Sequence, residues 1–293
     1  MNTLYDLPAP AKLNLFLHVV GRRADGYHLL QSVFMLIDWC DRLHIERRAS
    51  GKLSREDLSA PLPADDLSLR AARALQAYAG PGCGAHISIA KSIPAQAGLG
   101  GGSSDAATCL LALNRLWGLK LPLAQLERIG LSLGADVPFF LRGRNAWVEG
   151  VGETITPVDL PPCQFLVVKP VQGLDTAAIF RAPDLQRTTA PAIISCFAAD
   201  SAPDSRDFAW DFGRNDLQPV AQRLCPEVEQ AIQWLAAQGM QGRMTGSGSA
   251  VFAPVVTSTA QDVDPAQPLP GWTVRRCGNL PVHPLAGWAD SDS

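Results

Sequence analysis

The stretch Ile93-Pro-Ala-Gln-Ala-Gly-Leu-Gly-Gly-Gly-Ser-Ser-Asp-Ala-Ala107 puts four glycines, Gly98, Gly100, Gly101 and Gly102, into five positions ahead of two hydroxyl residues. Glycine loses more backbone entropy on ordering than any other residue, so such a run is a poor structural choice unless the bare backbone is needed. A chain that wraps closely around a polyanion needs it, because unshielded N–H groups can then converge as a nest. From Ala106 onward Cys109, Leu110, Leu113 and Trp117 recur at three- and four-residue steps, which predicts a helix that Gly118 stops. Ser103 or Ser104 is placed to cap its start. The helix adds its unpaired N-terminal donors and the positive end of its dipole to the nest. The reading is a phosphate-binding loop, against the alternative of a Gly-rich turn ahead of an ordinary core helix. No Gly-x-x-x-x-Gly-Lys-Ser/Thr occurs and no Gly-x-Gly-x-x-Gly opens a βαβ unit, so an ordinary P-loop protein and a standard dinucleotide binder are both disfavoured.

At 293 residues the chain is long enough for two domains, and 47% hydrophobic with 18% charged residues is the balance of a soluble globular protein. A net charge of −3 argues against a nucleic-acid partner, so an anionic substrate must be held by local donors and a metal ion rather than by a bulk field. Met1–Asp6 has no basic region followed by an apolar run, and no apolar run approaches the ~18 residues of a membrane span; neither a secretory signal nor a membrane partner is expected. The seven cysteines are scattered and never spaced Cys-x-x-Cys, a reduced, cytoplasmic pattern without a zinc site. The five histidines are equally dispersed, so no metal-ligating residues are assigned and any metal arrives with a nucleotide. The expected state is a monomer or weak homodimer.

Residues 9–46 read as strands, with Leu13, Leu15, Leu17 and Val19 alternating with Lys12, Asn14, Phe16 and His18 and a turn at Ala24-Asp-Gly26. A polar loop covers 49–66. Helices are expected near Leu67–Tyr78, Leu123–Leu133 and Pro226–Gln238, and strands at Ala85–Ala90, Ala146–Ile155 and Phe165–Lys169. Leu185–Asp204 reads as loop with a short helix, Arg243–Ala253 as a Gly-rich turn into a strand, and the tail after Leu285 as frayed. The change of texture past Thr156 places a boundary near 157.

Three further segments repeat the polar theme. Strand alternation puts Lys12 and Asn14 of Pro10-Ala-Lys-Leu-Asn14 on one face, either as solvated surface or facing a ligand. Asp136 in Gly134-Ala-Asp-Val-Pro138 either caps the next turn or carries chemistry. Met244-Thr-Gly-Ser-Gly-Ser-Ala250 brings a second set of glycines and hydroxyls. Each alone is weak, and together they outline a phosphoryl-transfer site.

Pro10–Asn14, Gly98–Ser104 and Thr245-Gly-Ser-Gly248 resemble, in that order, the three signatures of the GHMP kinases. Gly21-Arg-Arg-Ala-Asp-Gly-Tyr-His28 and Gly134–Phe139 are similar to the branch of that family that acts on CDP-methylerythritol, in the non-mevalonate isoprenoid route. The likeness runs on through Gly150–Pro157 and Ile179-Phe180 and so covers nearly the whole chain. It implies an α+β, two-domain GHMP kinase fold: an ATP-binding N-terminal domain of the ribosomal-protein-S5 domain 2 type over 1–157 and a ferredoxin-like C-terminal domain over 158–293. It also implies transfer from ATP, with Mg²⁺, to the substrate's 2-hydroxyl.

By the same resemblance Asp136 is the general base, and Lys12 stabilises charge on the attacking oxygen. Lys91, Pro94, Gly98, Leu99, Gly100, Gly101, Gly102, Ser103 and Ser104 hold ATP, Lys91 near the adenine. Tyr27 and Phe180 sandwich the cytosine, His28 hydrogen-bonds the base edge, and Asn14 orients substrate hydroxyls or diphosphate. Asp66 stands where the family commonly has an Asn that meets the adenine, and Gln96 where a small residue is frequent. Two alternatives stay open: another small-molecule GHMP kinase, of the mevalonate or homoserine type, and a non-catalytic nucleotide sensor.

Overall fold

The computed structural model describes residues 2–194, Phe197, 208–255 and 268–289. Strands β1 (Thr3–Arg22) and β2 (His28–Arg48) pair antiparallel on either side of the Ala24–Gly26 turn. The first half of β2 pairs with β5 (Ala146–Gly150), which continues to β6 (Thr154–Pro157). Its second half pairs with β4 (Gly84–Ala90), which carries β3 (Leu53–Asp57) in parallel. β3 lies inside the stretch expected to be loop. Leu53-Ser-Arg-Glu-Asp57 has no apolar alternation to announce it, and the free edge of β4 makes it a strand.

Helices α1 (Leu67–Ala79), α2 (Gly101–Leu116), α3 (Leu123–Leu133) and α4 (Val137–Arg142) pack Leu75, Leu110, Leu113 and Phe139 onto Leu36, Leu43, Ile45 and Ile87 of the sheet. Each such fully buried side chain contributes about 1.5–3 kcal/mol. The other face of the sheet, with Leu13, Phe16, Met35 and Trp147, meets Phe165, Val167 and Phe252 of a second sheet. That sheet comprises β7 (Gln164–Lys169), β8 (Arg243–Met244), β9 (Val251–Pro254) and β10 (Thr273–Gly278), antiparallel in the order β10-β7-β9-β8. Its far side packs on α5 (Thr176–Arg181), α6 (Gln218–Leu224) and α7 (Pro226–Ala236). The architecture is therefore α+β, with three apolar clusters between successive layers. Neither α6 nor β10 was marked by the sequence pattern. α6 is two turns long, and half of the residues of β10 are exposed.

The outer edge of β1 organises the site. Its N–H groups are not taken by β2 alone. Lys12 N donates to Leu99 O at 2.9 Å, Asn14 N to Thr245 Oγ1 at 2.9 Å, Leu17 N to Arg214 O at 2.9 Å and Val19 N to Asp216 Oδ2 at 2.8 Å. An open strand edge would be a liability. Here it seats the Gly-rich loop and the C-terminal half, and Pro8 and Pro10 are tolerated in a strand that pairs along one side.

Two expectations need correction. The helix after the loop begins at Gly101, with left-handed Gly100 (φ +72°) as its N-cap and no side-chain cap, so neither Ser103 nor Ser104 caps it. The tail is not frayed through Ala289. Leu280 N and His283 N donate to Leu36 O and Gly143 O, Leu285 is buried, and Arg115 lies 4.6 Å from the Trp288 ring centroid. Part of the short helix expected in Leu185–Asp204 lies outside the described residues, as do 290–293. Among the described residues no helix is long and apolar enough to cross a membrane.

Candidate active site

A cleft of about 1280 Å³ runs between the two halves and is walled by all the sequence-predicted site residues except Ser104. Ser104 is fully buried on the inner face of α2, its hydroxyl without a partner. At one end of the cleft, Gly100 ends the loop in a conformation that side chains rarely adopt. A Cβ there would stand 2.9 Å from the Phe140 ring and 3.1 Å from Lys12 Cγ. Having no side chain, Gly100 leaves the first N–H groups of α2 uncapped, and Ser104 N is the first to find Gly100 O, at 3.0 Å. A 16-residue helix thus presents open donors and its positive end to the cleft. Gly98 is pressed against the second glycine turn: an added Cβ would sit 2.2 Å from Thr245 O. Pro94 and Leu99 line the same wall.

Beside the helix start, Lys12 is 4% exposed, with Nζ 4.7 Å above the Phe34 ring and 3.5 Å from Asp136 Oδ2. Asp136 begins α4 without capping it, so its carboxylate is left free for the cleft; the capping alternative fails. Asn14 is buried and engaged at both ends of its amide. Oδ1 accepts from Lys12 Nζ, and Nδ2 donates to Ser32 Oγ at 2.8 Å. It positions Lys12 as much as it faces a ligand.

Lys91 is enclosed. Its Nζ pairs with Asp41 and, at 2.6 Å, with Asp105 Oδ2, and Asp41 also accepts from Ser92 N and Ile93 N. Two carboxylates share one ammonium in a buried place. Burial pushes the Asp105 carboxyl up to about 7, although Lys91 pulls the other way. Asp66 accepts from Ser68 N and Leu69 N as the N-cap of α1 and pairs with Arg55. Gln96, at φ +51°, gives its carbonyl to Ser249 N at 3.1 Å.

The other end of the cleft is aromatic. His28, at the start of β2, stacks on Phe180 of α5 with ring centroids 4.9 Å apart and planes 29° from parallel. Tyr27, 64% exposed, stands at its mouth. One face of Phe180 is therefore already covered by His28. Arg187 donates from Nε to His28 Nε2 at 3.1 Å and from Nη2 to Phe180 O and Ala182 O.

The sequence pattern of the GHMP kinases N terminal domain matches residues 66–144, and that of the GHMP kinases C terminal region matches 202–266. A 4-diphosphocytidyl-2-C-methyl-D-erythritol kinase of Variovorax paradoxus (strain S110) is 69% identical over 99% of this chain and 100% of its own. The chain belongs to the 4-diphosphocytidyl-2-C-methyl-D-erythritol kinase family of the GHMP kinases. A crystal structure of a 4-(cytidine 5'-diphospho)-2C-methyl-D-erythritol kinase, 37% identical, superposes with a TM-score of 0.71 over 85% of this chain and 89% of its own. A homoserine kinase from Cytophaga hutchinsonii ATCC 33406 reaches 0.70 over 97% and 96% at 14% identity, which speaks to the fold alone.

GHMP kinases use ATP, and the kinase family accounts for the three glycine and lysine motifs sharing one cleft. Four participants were not singled out from the sequence: Asp41, Asp105, Arg55 and Arg187. Asp105 sits within the quoted motif, and a carboxylate on the buried face of a helix was the available signal. Arg187 had none, because it reaches His28 across a gap of 159 residues.

Proposed function

We propose that this chain transfers the γ-phosphoryl group of ATP to the 2-hydroxyl of 4-(cytidine 5'-diphospho)-2-C-methyl-D-erythritol, giving the 2-phosphate and ADP, in the non-mevalonate route to isoprenoid precursors. The observation that carries the reading is the Lys12–Asp136 pair, 3.5 Å apart, beside the uncapped start of α2. Phosphoryl transfer needs positioning, charge neutralisation and a proton acceptor. Asp136, held by the turn into α4, takes the proton of the attacking hydroxyl. Lys12, fixed by Asn14 and Phe34, stabilises charge on that oxygen.

Gly98–Ser103 and the α2 N-terminus hold the phosphates. A helix end supplies about 0.3–2 kcal/mol per charge, whereas micromolar binding requires about 8 kcal/mol. Pro94, the ring contacts along Leu67 and the metal ion supply the rest, and Lys91 acts by holding the wall rather than by touching the adenine. Among the described residues no three His, Cys, Asp or Glu side chains gather to hold a metal. The Ser103 hydroxyl at the helix start fits a Mg²⁺ that would take its other ligands from phosphate and water, which leaves the Asp136 carboxylate to the proton. When bound, the ion neutralises charge on the transferring group.

Tyr27, His28 and Phe180 take the cytosine. We assign the ATP side to 1–157 and the second domain to 158–293, a division supported by the gap between β6 and β7. Cytoplasmic operation is supported by the scattered cysteines, of which the six described are unpaired. The test is ADP release from ATP and Mg²⁺ with CDP-methylerythritol, mevalonate, homoserine or no acceptor. Release that depends on CDP-methylerythritol is expected. Release with mevalonate or homoserine instead would overturn the substrate, and ATP binding without release would favour a sensor.

A further inference from the structure

Among the described residues Arg187 is the cation that donates to a ring nitrogen of the cleft, and guanidinium nitrogens donate hydrogen bonds without accepting them. The Nε2 that receives Arg187 Nε–H at 3.1 Å must therefore carry a lone pair, which puts the hydrogen of a neutral imidazole on Nδ1. Among the described residues no protein group takes that Nδ1. We propose that Arg187 is a positioning residue that fixes His28 as the neutral Nδ1–H tautomer, so that the base-reading position is a hydrogen-bond donor and selects cytosine over uracil. The proposal rests on the reading of this end of the cleft as the nucleobase site.

The geometry supports it in two ways. Arg187 is itself held, by Leu185 O, Phe180 O and Ala182 O, so its Nε direction is set by the turn after α5. His28 stacks within 29° of the Phe180 plane, so a base bonded in the plane of the imidazole lies nearly parallel to Phe180. Edge reading and stacking are then satisfied together. Cytosine offers an acceptor at N3 and at O2, whereas uracil carries a hydrogen at N3, which would face the Nδ1–H donor to donor. Burial first, then the cationic neighbours Arg187 and Arg22, lower the His28 imidazole from its ordinary value and so disfavour the protonated ring.

The direct test is the ¹⁵N spectrum of His28 in the free protein, assigned by comparison with His28→Asn. The Nδ1–H form is expected, and the Nε2–H form or a protonated ring at pH 7 would overturn the proposal. This readout does not depend on the acceptor, so it can fail while the assigned reaction stands, and the reverse. In turnover, Arg187→Met should raise KM for the cytidylyl substrate about 10–100-fold, the loss expected when a buried pairing is left unmade, with kcat within about twofold. Its preference over the uridylyl analogue should shrink, and the acidic limb of kcat/KM should move to higher pH as His28 loses a cationic neighbour. Because Arg187 also ties down the turn after α5, the double variant Arg187→Met/His28→Asn is the control. The Asn Nδ2 stands where Nδ1 did and donates without help, so it should recover part of the preference. No recovery, together with unchanged pH dependence in Arg187→Met, would reduce Arg187 to a structural tie.

Discussion

At the phosphate end of the cleft, Gly98 is wedged against Thr245, Leu99 is bonded to β1, Lys12 is held by Asn14 and Phe34, and Lys91 is locked between two carboxylates. At the end proposed for the nucleobase, Tyr27 is 64% exposed and His28 and Phe180 rest on each other and on one arginine. The first region is fixed from several elements at once; the second hangs on a hairpin turn and a six-residue helix. On the proposed function the contrast follows from the tasks. Chemistry requires groups preorganised before the reacting atoms arrive, whereas recognising a flat base tolerates adjustment by its two stacking partners.

The largest expected effect lies at the phosphate end. Asp136→Asn should lower turnover by about 10²–10⁴ and leave ATP binding nearly unchanged, as removal of a general base does; comparable turnover in single-turnover assays would end that assignment.

Next in size is the foundation of the loop. Asp41→Ala should cost about 3–5 kcal/mol in denaturant unfolding, because it strips Lys91 of one partner and orphans two backbone N–H groups. Asp105→Asn should be close to neutral at pH 7, since Asp41 still pairs with Lys91. The sign of its pH effect is fixed. Burial raises the folded Asp105 carboxyl to about 7, so between the ordinary carboxylate range and that value the folded state binds the extra proton. Stability in the native protein should therefore fall as pH rises through that window, and Asp105→Asn should flatten the slope.

Gly98→Ala should destabilise by about 2 kcal/mol or more, through a side chain forced to positive φ against a backbone carbonyl. An unchanged melting temperature would show that the two glycine turns are not packed as described.

The smallest expected loss of activity belongs to the end proposed for the nucleobase. Tyr27→Ala should raise KM for the cytidylyl substrate about tenfold with kcat nearly intact, the scale of one stacking contact. If methylerythritol phosphate lacking cytidine were accepted equally well by the native protein, the stacking role would be wrong.

Much of the site was legible before any fold was known. Runs of glycine with hydroxyls, a lysine two residues from an asparagine on a strand, and an Asp before a Val-Pro are local facts, and local facts survive in sequence; that Asp136 does not cap α4 was decided by the fold. Element positions were equally legible wherever a period was strong: α3 falls on Leu123–Leu133 as expected, and β4 and β7 each begin one residue early. Three of the missed elements share one cause. β3, β10 and α6 are short or polar and exist because a neighbour offers an edge or a face. The start of α2 moved because a glycine in the left-handed region ends the loop sooner than a serine cap would.

The sequence by itself supplied the glycine runs and their spacing, and its resemblance to the GHMP kinases named Lys12 and Asp136 as the candidates for phosphoryl transfer. The tertiary structure decided which of the other polar groups serve that chemistry. It enclosed Lys91 between Asp41 and Asp105, turned Ser104 into the core, gave Asp66 to a helix cap, and set Arg187 against His28. Those outcomes depend on contacts between residues far apart in the chain, and a buried polar group must take whichever partner folding brings to it.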